Sequence, residues 1–182
     1  MTGAQKKKIR RIMIAAPKSG SGKTTITCGL LQIFRENGED ISSCKCGPDY
    51  IDPMFHREVL GVDSKNLDLF FSEEDILKEG YLKHTKDADI TITEGVMGFY
   101  DGMSLDSVKG SSYDVAQTLG LPVILVINAR GAAMTLVATV KGIAEFRPDS
   151  NIRGILLNRV SAMLYPRLKE MLENELARIG HD

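Results

Sequence analysis

The sequence predicts an α/β protein, a three-layer, doubly wound and mostly parallel sheet, on three observations. Apolar segments of strand length alternate along the chain with segments of helical period. The strand segments 90–93, 123–128 and 152–157 are built on Ile, Val and Leu, the pattern of strands covered by helices on both faces. The helical segments carry an apolar stripe on one side: Ile26, Leu30, Ile33 and Phe34 in one, and Leu168, Met171, Leu172, Leu176 and Ile179 in another. Such helices need a sheet to cover, and right-handed crossovers place them on its two faces.

In order, residues 9–16 form a strand, closed by Pro17. Residues 24–37 form the first helix and 41–46 a strand in which Cys44 and Cys46 alternate, so that at most one is expected to face the core. A helix over 73–84, a strand over 90–93 and a helix over 112–119 follow, with Ser111 and Ser112 before the last as N-cap candidates rather than a substrate carboxylate site. Strand 123–128, helix 133–146, strand 152–157 and helix 166–179 complete the alternation. Residues 47–68 and 95–110 do not fit it. Both follow strand C-terminal ends, where open α/β sheets hold their ligands.

The 182 residues are 43% hydrophobic and 26% charged, which suits one domain, and no repeat, low-complexity tract or linker divides them. With 23 Lys and Arg against 24 Asp and Glu, the net charge of −1 gives no field for nucleic acid or anionic membrane. The longest uncharged stretch, 115–129, contains Gln117, Thr118 and Asn128 and is too short to span a bilayer. Lys6, Lys7, Lys8, Arg10 and Arg11 read as a solvated tail entering a strand, not a signal peptide. Three cysteines, Cys28, Cys44 and Cys46, support neither a disulfide framework nor a zinc site; reduced thiols and a cytoplasmic location are expected.

The first strand runs into Pro17-Lys18-Ser19-Gly20-Ser21-Gly22-Lys23-Thr24-Thr25 and an amphipathic helix, the setting of a phosphate-binding P-loop. Small residues let the backbone curl its N–H groups round a phosphate. Lys23 reaches the β/γ oxygens, and Thr24 offers a hydroxyl to Mg²⁺. Residues 19–25 and Asn158, which ends strand 152–157 where adenine is hydrogen-bonded in similar folds, are the nucleotide-binding candidates; Asn158 is almost as well read as a turn residue. Pro17 replaces the usual first Gly. Lys18 stands where deviant P-loops carry a lysine that crosses a dimer interface, so a homodimer enters the reading beside a plain solvated loop lysine.

Residues 88–95 form an apolar strand that closes on Glu94 beside Gly95, as a Walker B strand does, and a carboxylate there takes Mg²⁺ directly or through water. The irregular segments read Gly47-Pro48-Asp49-Tyr50-Ile51-Asp52-Pro53-Met54-Phe55-His56 and Glu94-Gly95-Val96-Met97-Gly98-Phe99-Tyr100-Asp101-Gly102. They supply Asp49, Asp52, Glu94 and Asp101 near the expected γ-phosphate, and so many acids beside a triphosphate call for a divalent metal. His56 reads as a loop histidine packed on aromatics rather than a catalytic one.

These two motifs and the phosphate loop resemble the N-terminal synthetase domain of the cobyrinic acid a,c-diamide synthase family, whose fold is similar to that of dethiobiotin synthetase. The resemblance implies a glutamine-dependent carbon–nitrogen ligase that uses ATP and Mg²⁺ to amidate the a and c side-chain carboxylates of a corrin precursor. A closely similar synthase acting on nickel sirohydrochlorin shares the motifs, so the tetrapyrrole is open. Carried over, Lys23, Asp49, Asp52, Glu94 and Asp101 are the catalytic residues, Thr24, Asp49 and Glu94 the metal ligands, and Tyr50 and Ile51 line the substrate cleft. On residue type alone, Asp52 also reads as a turn cap and Tyr50 as a packing aromatic.

The family continues into a class I glutamine amidotransferase domain with a Cys-His pair, and no cysteine here sits in a nucleophile elbow. The sequence therefore reads as one synthetase domain over 1–182, a fragment or split subunit whose ammonia is delivered by a glutaminase elsewhere. The competing class, suggested by Lys18, is a partitioning-type ATPase switch that dimerises on ATP.

Overall fold

A computed structural model describes residues 10–180. Lys6, Lys7 and Lys8 of the expected tail lie outside them. Six strands, β1 (Arg10–Ala15), β2 (Ile41–Cys46), β3 (Asp63–Leu67), β4 (Ile90–Glu94), β5 (Val123–Asn128) and β6 (Ile152–Asn158), form one sheet in the order β3-β2-β4-β1-β5-β6, every pair parallel. The helices are α1 (Lys23–Glu36), α2 (Ile51–Glu58), α3 (Glu74–Thr85), α4 (Ser112–Leu119), α5 (Met134–Phe146) and α6 (Tyr165–Ala177).

Side chains alternate across β1 into two cores. Met13 and Ala15 join Cys44, Tyr81, Val115, Val140 and Leu168 under α3 to α6, whereas Ile14 packs with Leu31, Val62, Ile92 and Val126 under α1. This is the expected three-layer arrangement. Within α1 the buried stripe is centred on Thr27 and Leu31, with Ile26, Leu30 and Phe34 at its flanks, and Ile33 is exposed. β6 is an edge strand and half-buried, unlike the central β4 and β5.

Two expectations are corrected. Cys44 and Cys46 are both fully buried, because residues two apart on a strand share a face and β2 is covered on both. The stretch 47–68 is not irregular: it holds α2 and β3. The periodicity is hidden because β3, Asp-Ser-Lys-Asn-Leu, is a polar edge strand and α2 carries Pro53 in its first turn, where a missing N–H costs nothing.

His56 is accordingly a helix residue, fully buried, with Nδ1 at 3.1 Å from Ser43 Oγ and 3.2 Å from Ser64 Oγ, pinning α2 to β2 and β3. Burial lowers its pKa from 6.5, and its Nε2 has no partner among the described residues. The folded state thus holds the neutral ring. Below about pH 6.5 the unfolded chain takes a proton that the folded chain refuses, so the contribution is complete above that pH and is lost as pH falls. Denaturation midpoints between pH 7.5 and 5.5 should fall more steeply for the native chain than for His56→Gln; parallel curves would remove His56 from the effect.

Candidate active site

The phosphate loop leaves β1 at its C-terminal end. Gly20 and Gly22 have φ of 75° and 103°, and a Cβ on Gly22 would lie 2.2 Å from Asn158 Nδ2, so glycine is required there by both conformation and space. Ser21 Oγ donates to the Lys18 carbonyl at 2.9 Å, and Asn158 Nδ2 donates to the Ser21 carbonyl at 2.9 Å. Asn158 in this structure braces the loop. Lys18 itself is exposed. Lys23 opens α1, is buried, and donates from Nζ to the Met97 carbonyl at 2.6 Å; burial above all, then the charge of Lys45, lowers its pKa. Met97 holds a left-handed φ of 45°, a strained conformation of the kind that collects at functional sites.

The loop after β4 is tied down at several points. Gly95 N donates to the Ile14 carbonyl at 2.9 Å and Phe99 N to the Ala16 carbonyl at 2.8 Å. Ser112 Oγ accepts from Val96 N at 2.8 Å and donates to its carbonyl at 2.9 Å, while Asp101 Oδ2 accepts from Gly98 N at 3.0 Å. The helix cap is Ser111, whose side chain accepts from Asp114 N at 3.1 Å, as expected of an N-cap serine.

Glu94 ends β4 with no exposed surface. Its Oε1 accepts from Thr24 Oγ1 at 2.6 Å and from Lys45 Nζ at 2.8 Å, and its Oε2 is buried without a partner among the described residues. Burial raises the Glu94 pKa against the opposing pull of Lys45 and Thr24. Lys45 stands beside Glu94 in the parallel register of β2 and β4 and also donates to Asp52 Oδ2 at 2.6 Å. Burial works against its charge, but Glu94 and Asp52 together outweigh burial and raise its pKa. Asp49 Oδ1 accepts from the Ile51 and Asp52 amides at 2.9 and 3.3 Å, capping the start of α2, and its Oδ2 is 3.7 Å from Lys45 Nζ.

A cleft of about 480 Å³ brings together Ser19, Gly20, Gly22, Lys23, Thr24 and Thr25 with Lys45, Asp49, Asp52, Glu94 and Arg159. Ser21, Asn158 and Asp101 support it from behind. Tyr50 and Ile51, between Asp49 and Asp52 in the chain, do not line it and are 79% and 73% exposed. Lys45 and Arg159 escaped the sequence reading. The signals in the sequence were a lysine between two cysteines, Cys44-Lys45-Cys46, at the end of a strand that feeds an acidic loop, and an arginine directly after Asn158.

The donor set fits Mg²⁺ in its chemistry: hard oxygens, a hydroxyl at the P-loop, and one orphaned buried carboxylate oxygen. Among the described residues, however, no group of three or more His, Cys, Asp or Glu is arranged as a metal cage. The acids close on the Lys45 ammonium instead. Cys44 and Cys46 are buried, which raises both thiol pKa values, Cys46 to about 12, and burial raises that of Cys28 as well, so none of the three is an activated nucleophile. Among the described residues, no helix is long and apolar enough to cross a membrane.

A glycine-rich loop between β1 and α1, a buried glutamate at the end of β4 and an all-parallel sheet are the build of a nucleotide-binding domain of the P-loop class. Residues 12–181 match the model of the CobQ/CobB/MinD/ParA nucleotide binding domain, and the chain belongs to that family. It is 43% identical over 173 residues to the hydrogenobyrinate a,c-diamide synthase of Brucella ovis, covering 94% of this chain and 38% of that protein. It is 41% identical over 167 residues to the cobyrinate a,c-diamide synthase of Priestia megaterium, covering 91% and 36%. It is 45% identical over 151 residues to the enzyme of that name from Gloeobacter violaceus, covering 83% and 33%. The chain thus spans little more than a third of the length of these curated relatives. Solved structures share the fold: chloroplast FtsY of Physcomitrella patens, TM-score 0.68 at 15% identity over 93% of this chain and 56% of that one, and the 54 kDa signal recognition particle protein of Aeropyrum pernix, TM-score 0.60 at 17% identity over 98% and 41%.

Proposed function

We propose that this chain is the ATP-dependent synthetase part of a corrin a,c-diamide synthase, converting the a and c side-chain carboxylates of cobyrinic or hydrogenobyrinic acid to amides. The relatives' names support the substrate class. The observation that carries the reading is the acidic start of α2, Asp49 and Asp52, folded onto Thr24 and Glu94 through Lys45, an arrangement for which a nucleotide switch has no evident use.

A carboxylate is a poor acyl donor because oxide is its leaving group. Attack of a carboxylate oxygen on the γ-phosphorus of ATP releases ADP and leaves an acyl phosphate; ammonia then attacks the acyl carbon, phosphate departs and a proton is lost. Lys23 exchanges its Met97 carbonyl for an oxygen of the transferring group, where its charge meets charge developing in the transition state. The phosphate-loop amides and the N-terminus of α1 hold the neighbouring phosphates. Thr24, Asp49 and Glu94, with Asp52 beside them, would hold Mg²⁺, which supplies charge neutralisation between the phosphates. Tyr50 and Ile51 offer apolar surface to a flat macrocycle, and Asp101 keeps the β4 loop in place. Ammonia is delivered by a glutaminase domain or subunit, since no thiol described here is activated.

ADP release with Mg²⁺ATP and ammonium should require a corrinoid or sirohydrochlorin polycarboxylate, whose mass then falls by the oxygen-to-NH difference for each amide formed. ADP formation without substrate and without amide would refute the ligase. The exposed Lys18 keeps the partitioning-type switch as the second reading; that reading requires an ATP-dependent dimer abolished by Lys18→Ala, whereas the ligase reading requires neither.

A further inference from the structure

Lys45, which lines this cleft, is left unexplained by the motifs. Its Nζ lies 2.8 Å from Glu94 Oε1, 2.6 Å from Asp52 Oδ2 and 3.7 Å from Asp49 Oδ2, and its side chain is 6% exposed. A single ammonium is therefore surrounded by the carboxylates of three elements: the end of β4, the start of α2 and the loop between β2 and α2. Two of those acids, Asp49 and Glu94, with Thr24, are the groups that would hold a divalent cation. We infer that the Lys45 ammonium occupies the cation position of this site as a resident counter-ion, and that the divalent cation enters by displacing it.

Three observations support exchange over a permanent ion pair. Glu94 Oε2 is buried and unpartnered among the described residues although its sister oxygen accepts two bonds, so the ammonium leaves the carboxylate half-satisfied. A divalent cation with several coordination positions can engage what a three-proton ammonium at the end of a long stem cannot. The second is the architecture of the partners. Glu94 is a strand residue with no exposed surface, and Thr24 is fixed in the first turn of α1, whereas the lysine head is carried on four methylenes and leaves by rotation about its own bonds. The third is that Lys45 lines the open cleft, so its displaced head has water to enter. Until the cation arrives, the ammonium keeps three neighbouring carboxylates from repelling one another, and the site keeps its shape without metal.

This inference rests on the metal-dependent reading above, and its test uses no tetrapyrrole and no nucleotide, so that the two fail separately. The whole chain is treated with a small amine-acetylating reagent at increasing Mn²⁺, and the acetylation of Lys45 and Lys23 is followed by peptide mass spectrometry. Mn²⁺ binding is measured by electron paramagnetic resonance on the same samples. Acetylation of Lys45 should rise several-fold with a midpoint equal to the Mn²⁺ dissociation constant, while that of Lys23 changes little. Lys45→Met should bind Mn²⁺ more tightly by about tenfold or more, since metal then relieves carboxylates left uncompensated. Lys45 acetylation that stays flat or falls as Mn²⁺ saturates, a Lys45→Met chain that binds Mn²⁺ no better, or no Mn²⁺ binding by either chain overturns the inference. If Lys45→Met does not fold, the acetylation of the unaltered chain decides alone. Rising acetylation together with a failed amidation assay leaves the exchange standing and refutes only the ligase.

Discussion

Lys23→Ala is expected to lower the rate of ATP-dependent amidation by about 10²–10³-fold, the usual loss when one donor to a developing negative charge is removed. The fold should survive. The side chain spends its charge on one partner, the Met97 carbonyl at 2.6 Å, and the cleft it lines lets water reach that carbonyl once the lysine is gone. Burial has already lowered the pKa of Lys23, so part of the cost of removing this cation from water is met before ATP binds, and the contact with phosphate is correspondingly direct. Lys23→Arg should not restore the rate, because a planar fork does not fit where a compact ammonium sits. Steady-state rates beside thermal melts check both statements; a Lys23→Ala chain that keeps most of its rate would take Lys23 out of phosphoryl transfer.

Gly98→Ala is expected to damage the site as much while touching no ligand. A Cβ there would stand 2.6 Å from the Pro17 carbonyl and 2.3 Å from Asp101 Oδ2. The carboxylate has room to turn, but the carbonyl belongs to the backbone between β1 and the phosphate loop and yields only if the two loops separate. Separation removes the Lys23–Met97 contact and shifts the loop that Glu94 anchors. Overpacking of this kind costs about 1–3 kcal/mol, and each kcal/mol lowers the melting temperature of a chain this size by about 2–4 °C. Nucleotide affinity, read by titration calorimetry, should fall together with the melting temperature. A Gly98→Ala chain that melts and binds like the original would show that the two loops are free to part.

The groups legible in the sequence were those whose chemistry and geometry are local. Gly22, Lys23 and Thr24 are consecutive and sit between a strand and a helix, and Glu94 closes an apolar strand, so their positions follow from one connection each. Ser111 was readable as a cap because a cap is a relation over three residues. Lys45 was not, since its role exists only when β2 lies beside β4 and α2 folds back over both; in the chain it is 49 residues from Glu94. Asn158 was found as a strand-end asparagine, while its contact with Ser21 crosses 137 residues and has no local sign. β3 and α2 were hidden by composition, an edge strand needing only one apolar face and a short helix tolerating Pro53. His56 was seen, but its burial between Ser43 and Ser64 depends on that unseen strand.

The strand order has a consequence for when the cleft comes into being. β1 lies between β4 and β5, which follow it in the chain, and the phosphate loop at its end is completed by Glu94, Met97 and Asn158, which emerge 70, 74 and 137 residues after Thr24, Lys23 and Ser21. Contacts of such separation close late, because the entropy of the intervening loops is lost before the contacts compensate it. A nascent chain therefore carries its Gly-Lys-Thr sequence long before it has a place to seat a triphosphate. The phosphate loop is written well before the residues that finish it.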